Sequence, residues 1–518
     1  MNPLTYRSAT FAAVILLSAV VCNRPANCQE PLATVEVQTD KLGPEVPKDF
    51  VGISLEVSTA GQGIGAFSPD GKSQARVAQY ALGTPEAPNT VFFRFLRNLG
   101  PGILRLGGNS QDNTCWNPQA APHRDWCKGE LTSGDLRLFS KAAADSGWRL
   151  IVGINLKQNS PAWALAEVKD GIAKQIKPQQ IMGLELGNEP DLFPRDGSRP
   201  ADYSPADQVK DFTAYRDAFQ RDPVARQYAI IGPATCCKWH NARDLGAFID
   251  GVGASSLKLA TTHSYLLTTC GGKKATIEEL LAPELMKRFD DQAKELVAAA
   301  RERHVPLALA ETNSASCGGM PGVSNAFAAA LWGLDSLFSG AEDGYSGINF
   351  HISYRSDGSS YNAVDTYKTG GSSPAGGYEN VAEPLYYAMY VFSQTASGKH
   401  LLPAEIKTAE NVRAYATTAC ASCAVNVVII NKDSNAAGLV RIRIGGRGSG
   451  PASLLLLKAP KLASAASDVS YGGARFDGAG RIGTLHKEQV RMSANGEYDV
   501  QLPNAAAAVL VIPAAKKH

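Results

Sequence analysis

Two glutamates at the ends of apolar runs carry the chemistry this sequence can offer. The first lies in Leu184-Glu185-Leu186-Gly187-Asn188-Glu189-Pro190-Asp191-Leu192-Phe193. An apolar strand runs into Gly-Asn-Glu-Pro and stops, because proline cannot continue a hydrogen-bonded ladder. Glu189 therefore sits at a strand's carboxyl end with the amide of Asn188 beside it. The second lies in Pro306-Leu307-Ala308-Leu309-Ala310-Glu311-Thr312-Asn313, again an apolar strand ending in Glu. Two carboxyl groups flanking one bond can split an acetal. One protonates the leaving oxygen, and the other attacks the anomeric carbon or activates a water.

Such a pair needs a frame that brings distant strand ends together. From about residue 50 to 355, apolar runs alternate with amphipathic ones. Strands are expected at 50–57, 102–109, 149–156, 182–189, 228–234, 257–265, 306–311 and 345–351. Helical patterns fall at 91–99, 134–146, 161–176, 205–221, 242–249, 277–304 and 324–339. This alternation means parallel strands with helical crossovers, and eight units suggest an α/β fold of the closed (β/α)₈, or TIM, barrel type. A doubly wound sheet is the alternative, but the glycine-rich dinucleotide fingerprint is missing after the first strand. In a barrel the two glutamates fall on strands four and seven, across the mouth from each other. Other strand ends also turn polar: Glu56, Asn109, Asn155, the pair His263 and Tyr265, Asn313 beside Glu311, and His351. That rim is where a barrel builds its site.

After a helical stretch at 384–395, the character changes to short β-prone runs at 412–417, 425–430, 438–444, 453–457 and 508–512, punctuated by Gly, Asn and Ser. An all-β sandwich is expected there. The domain reading is a removable leader at 1–28, an N-terminal strand within 32–48 that joins the β domain, a barrel over 49–398 and a sandwich over 399–515. The glycine-rich segment 370–377 reads as a loop near the barrel mouth.

The leader reading rests on Tyr6-Arg7 followed by an apolar run at 11–21, too short to span a bilayer comfortably. It implies a secreted or periplasmic protein; a lipid anchor on Cys22 is the alternative. No later segment resembles a membrane span. Removing 1–28 takes away Arg7 and Arg24 and no acid, leaving basic and acidic residues in balance. That argues against a nucleic-acid or polyanion footprint, though one anionic sugar in a local pocket is compatible with it. The remaining eight cysteines suggest disulfides. Cys115 with Cys127 and Cys420 with Cys423 are expected pairs, and Cys236, Cys237, Cys270 and Cys317 are left to pair among themselves. Zinc ligation by those four is the alternative, but their spacing matches no common ligand pattern.

The glutamate pair, with Gly187-Asn188-Glu189-Pro190 after strand four, resembles the large glycosidase clan whose catalytic glutamates lie on those strands. Within it, the whole chain is similar to family 79 glycoside hydrolases, the β-glucuronidase and heparanase-like group. The segments Gly52-Ile53-Ser54-Leu55-Glu56 and Arg105-Leu106-Gly107-Gly108-Asn109-Ser110, with the C-terminal β domain, support this over about residues 32–515. The family is retaining, so the resemblance implies Glu189 as acid/base and Glu311 as nucleophile, with Glu189 the higher-pKa partner. Asn188 would contact the sugar 2-OH, and Tyr265 would position the nucleophile. Glu56 and Asp112 would bind hydroxyls, with Asn109 shaping the same wall; the alternatives are that Glu56 pairs with Arg105 and that Asp112 and Asn109 serve turns. His263 reads equally as a contact or a core histidine. The family pattern has an aromatic residue in the loop after the nucleophile. This chain has Ser314-Ala315-Ser316-Cys317-Gly318-Gly319 there. Backbone N–H groups around Gly318 could still hold a carboxylate, with Tyr361 contributing from the loop after strand eight.

The resemblance implies an exported retaining β-glycosidase, with release of terminal glucuronic acid as the leading expectation. Other sugars and an endo-acting, heparanase-like action on acidic polysaccharide stay open. So does an inactive carbohydrate-binding barrel. The expected partner is a glycoside or oligosaccharide, with no nucleic acid, and no metal or organic cofactor is implied.

Overall fold

The computed structural model describes residues 30–57, 81–117, 129–353, 360–368, 378–445 and 450–514. The leader reading at 1–28, Cys127 and the glycine-rich loop at 370–377 lie outside them. Among the described residues, no helix is long and apolar enough to cross a membrane.

Eight strands close a barrel: Val51–Glu56, Ile103–Gly107, Arg149–Ile154, Ile181–Leu186, Ile230–Thr235, Leu257–Ser264, Leu307–Thr312 and Ile348–Ile352. Each runs parallel to the next, and the eighth pairs with the first, Ile348 opposite Val51. This is the (β/α)₈ barrel that the alternation predicts. Its helices start where capping chemistry places them. Thr132 and Ser204 each close a capping box, with Asp135 and Asp207 respectively. The stretch expected as one helix at 277–304 divides into Ile277–Leu281 and Pro283–Arg301. Pro283 lacks an N–H and so opens the second helix rather than continuing the first.

The barrel interior is layered, and the layers follow from the two-residue period of strands. Ile103, Ile151, Ile231, Leu259 and Ala308 form an apolar floor, separate from the main core between strands and helices. Two residues further along their strands stand Arg105 and Thr261, and beside them Glu185. Two further on again the strands deliver His263 and the rim. The interior thus changes from hydrocarbon to fixed charge to chemistry toward the carboxyl ends.

The second domain packs two sheets face to face. One runs in the order Ala404–Lys407, Ala33–Val37, Gly438–Ile444, Glu497–Leu502; the N-terminal strand lies antiparallel to the first and parallel to the third. The other is built on His400–Leu402, Val412–Thr418, Val425–Asn431, Ala506–Ile512 and Ala452–Lys458, with Ser470–Tyr471 and Glu488–Val490 paired to the last of these. Apolar side chains from both sheets, including Val35, Val427, Ile442, Val500 and Leu510, fill the space between. A buried polar link ties this domain to the barrel helix Phe327–Asp343: Asp335 accepts from Lys432 Nζ at 2.6 Å and from the Tyr415 hydroxyl at 2.6 Å.

Candidate active site

Arg105 organises the mouth of the barrel. It is fully buried on the second strand and donates to four groups. Nε reaches Glu185 Oε2 at 2.6 Å. Nη1 reaches Ser54 Oγ at 2.9 Å and Glu311 Oε2 at 2.8 Å. Nη2 reaches Asn188 Oδ1 at 2.9 Å. Burial opposes its charge, but Glu185 and Glu311 hold it as the cation. Glu185 takes a further hydrogen bond from Thr261 Oγ1 at 2.9 Å. A buried carboxylate and guanidinium can persist only when so paired.

Glu311 is held from both sides, by Arg105 on one oxygen and Tyr265 on the other. Its Oε1 accepts from the Tyr265 hydroxyl at 2.9 Å. His351 Nδ1 lies 3.7 Å and His263 Nδ1 3.9 Å from Oε2. Burial raises its pKa, but His351, His263 and Arg105, with the Tyr265 hydrogen bond, outweigh that and hold it well below the usual carboxylate range. Glu311 is therefore ionised at neutral pH. The same carboxylate, with Glu56, raises His351, against burial and Arg105.

Glu189 follows the fourth strand in the left-handed region, φ +49°, and donates its N–H to the Ala234 carbonyl at 2.9 Å. A non-glycine residue held there carries backbone strain, which clusters at functional positions. Its Oε1 meets His263 Nδ1 at 3.1 Å. One oxygen of Glu189, one of Glu311 and a ring nitrogen of His263 all lie within 4.8 Å of one another. These three could ligate a cation, but Arg105 already supplies positive charge to Glu311. Asp191, Cys236 and Cys237 form another such cluster; there the two sulfurs are joined in a disulfide, so neither is a thiolate ligand.

Asn188 is brought beside the pair. Arg105 can only donate, so the Asn188 atom facing it is the oxygen, and its NH₂ is left to turn elsewhere. Asp112 is buried beneath the rim. Its Oδ2 accepts from the Asn188 N–H at 2.7 Å, and its Oδ1 from the N–H groups of Leu156 and Lys157 at 2.7 and 3.2 Å. It thereby ties the ends of strands three and four together. Burial pushes its pKa up to about 6 against these three backbone donors. Glu56 accepts from the N–H groups of Asn109 and Ser110 at 3.1 and 2.6 Å, and lies 3.6 Å from His351 Nε2. Gly108 explains that loop: with φ +71°, a side chain there would come within 2.6 Å of the Glu56 carboxyl. Asn109 is exposed on the rim.

The loops after strands seven and eight are joined. Asn313 Nδ2 donates to the carbonyls of His351 and Tyr361, each at 2.9 Å, and Ser360 N–H donates to the Gly318 carbonyl at 2.6 Å. Tyr361 packs where a side chain on Gly319 would stand. Gly318 and Tyr361 are thus neighbours, as are Glu189, His263, Glu311 and Tyr265. Arg105 and Glu185 were not singled out as site residues from the sequence. Their signal was a charged residue inside an otherwise apolar strand, which is costly unless partnered. Cys236 bonds to Cys237 and Cys270 to Cys317, so the four cysteines left open form two bridges rather than a zinc site, and Cys420 bonds to Cys423 as expected. A separate cleft of about 960 Å³ in the β domain, beside Glu30, Lys407 and Asn435, has no aromatic lining and is far in the chain from these groups.

A closed barrel with two glutamates at its carboxyl rim is the architecture of the barrel glycosidases. Solved structures share the fold: a 4-O-α-L-rhamnosyl-β-D-glucuronidase from Fusarium oxysporum 12S has a TM-score of 0.70 at 19% identity, covering 92% of this chain and 100% of that one. A family 51 arabinofuranosidase from Xanthomonas axonopodis pv. citri has a TM-score of 0.68 at 14% identity, covering 93% and 100%. No family model matches the chain. In sequence it is 25% identical over 393 residues to a β-glucuronidase of Neurospora crassa, covering 68% of this chain and 66% of that protein. It is 25% identical over 318 residues to the heparanase of Gallus gallus, covering 52% and 59%. It is also 25% identical over 356 residues to a β-glucuronidase of Aspergillus niger, covering 62% and 60%. The matches thus span just under two thirds of these relatives' lengths. In sequence and fold together the chain resembles the β-glucuronidase and heparanase-like group, glycoside hydrolase family 79.

Proposed function

We propose that the protein is an exported retaining β-glycosidase that releases terminal glucuronic acid. The observation that carries the retaining reading is that one carboxylate oxygen of Glu189 lies within 4.8 Å of one of Glu311. Retention needs carboxyl groups about 5–5.5 Å apart, whereas inversion needs about 6.5–9.5 Å to admit a water. In this reading Glu311, ionised and oriented by Arg105 and Tyr265, attacks the anomeric carbon. Glu189 gives its proton to the leaving oxygen as the glycosidic bond breaks, and a glycosyl ester on Glu311 forms. Glu189, now a carboxylate, takes a proton from water, whose oxygen attacks the same carbon and frees Glu311. The NH₂ of Asn188 donates to the sugar 2-OH, a contact that strengthens as positive charge builds on the ring.

The uronate reading is supported by the curated relatives at 25% identity and by the closeness of Gly318 and Tyr361. Export is supported by three disulfides among the described residues, which persist in oxidising compartments. A panel of aryl β-glycosides (glucuronide, galacturonide, glucoside, xyloside, arabinoside) tests the substrate. The expected order puts the glucuronide first; equal or faster turnover of a neutral sugar would rule out the uronate reading while leaving the mechanism standing.

A further inference from the structure

The loop that follows the nucleophile is held by a covalent bond. Cys317 lies six residues beyond Glu311 and immediately before Gly318. Its sulfur is bonded to Cys270, on the loop that carries Tyr265. The bridge therefore joins the two loops whose starting residues, Tyr265 and Glu311, share the 2.9 Å hydrogen bond at the site. Backbone pairing anchors the near part of the junction: Ser316 N–H donates to the Leu267 carbonyl at 3.0 Å, and Thr269 N–H to the Ser316 carbonyl at 3.2 Å.

Beyond Ser316 the chain takes three successive left-handed residues, Cys317, Gly318 and Gly319, at φ +63°, +90° and +78°. Two glycines in a row leave the backbone wide conformational freedom. A non-glycine residue in the left-handed region persists only where its surroundings impose it. The bridge holds the residue that leads into Gly318, alongside the Thr269 hydroxyl, which donates to the Cys317 carbonyl at 3.3 Å and the Gly319 carbonyl at 3.4 Å. Both half-cystines are exposed, so the bond adds no apolar packing to the core.

We infer that the Cys270–Cys317 bridge is a positioning element for substrate selectivity. It fixes the Cys317–Gly319 turn so that the backbone N–H groups there meet the carboxylate of a uronide, with Tyr361 closing the other side. This rests on the uronate reading above. The bridge touches neither Glu189 nor the reacting atoms, so its loss acts on the binding of charged substrate rather than on bond cleavage.

The test compares wild type with the Cys270→Ser/Cys317→Ser variant on an aryl β-glucuronide and on its uncharged methyl ester. Cys420→Ser/Cys423→Ser, which opens the bridge in the β domain, is the control. The expected result is a KM for the glucuronide raised about tenfold with kcat within about twofold, because ground-state and transition-state binding of the carboxylate are lost together. The KM for the ester and both constants of the control variant stay at wild-type values. Reducing the bridge in the native protein reproduces the shift and reoxidation reverses it, which settles the matter if the double variant folds poorly. An unchanged glucuronide KM, or an equal rise on both substrates, overturns the positioning role while the uronate reading stands. A wild-type protein that ignores the glucuronide overturns both.

Discussion

Arg105 Nη1 donates to Glu311 Oε2 at 2.8 Å with the guanidinium wholly buried, and the same side chain holds Asn188 Oδ1 at 2.9 Å. One cation on strand two thus joins His351 and His263 in holding the proposed nucleophile ionised, and also orients the proposed 2-OH contact. Arg105→Met leaves Glu185 and Glu311 facing each other without it. The expected loss of stability is about 3–5 kcal/mol, the usual cost of breaking a buried pair, read as a lower urea midpoint at unchanged m. Arg105→Lys keeps a charge but not the fork. Glu311 is depressed partly by Arg105, so a weaker partner raises its pKa. The nucleophile must be ionised, and the acid limb of kcat/KM therefore moves to higher pH. An acid limb that stays in place would show that Arg105 does not set Glu311.

Tyr265 gives Glu311 its other hydrogen bond, at 2.9 Å. Tyr265→Phe removes that donor and little volume. A hydrogen bond to a charged group is worth about 1.5–3 kcal/mol, so kcat/KM on an aryl glycoside should fall roughly ten- to hundredfold. The thermal midpoint should hardly move, because Tyr265 is only partly buried. A rate within twofold of wild type, an order-of-magnitude miss on this scale, would remove Tyr265 from the positioning of the nucleophile.

Asp112 joins two strand ends through three backbone donors. Asp112→Asn turns an NH₂ toward at least one of those N–H groups, which should cost about 1–3 kcal/mol and lower kcat through the shifted Asn188. The pH dependence adds a sign. Burial raises the folded pKa of Asp112 from 3.8 to about 6, so between those values the native state binds more protons than the unfolded state. Wild type therefore loses stability from this group as pH rises through that window. Urea titrations at several pH values should show that loss in wild type and not in Asp112→Asn.

The barrel was legible because its strands are apolar runs bounded by polar ends, and Gly187-Asn188-Glu189-Pro190 marks one such end unmistakably. The strand Glu497–Leu502 was not read. Its residues alternate between buried Tyr498, Val500 and Leu502 and polar neighbours, which is a period-two signal and not an apolar run. Arg105 was quoted within a motif, but its role depends on Glu185, Glu311 and Asn188 converging from strands four and seven, and no local pattern records that convergence. Asp112 was expected to meet sugar hydroxyls; the geometry directs both of its oxygens to backbone N–H groups, a partnership set by loop packing.

The central claim is that Glu311 forms a covalent bond to the sugar while Glu189 moves the proton. A 2-deoxy-2-fluoro-β-glucuronide with a dinitrophenyl leaving group slows both steps but favours the first, so the glycosyl-enzyme accumulates. Mass spectrometry of peptides from the quenched protein should find the fluoroglycosyl increment on the peptide bearing Glu311, and none in Glu311→Gln. An increment on the peptide bearing Glu189, or a first product of inverted anomeric configuration with no increment anywhere, would contradict the account.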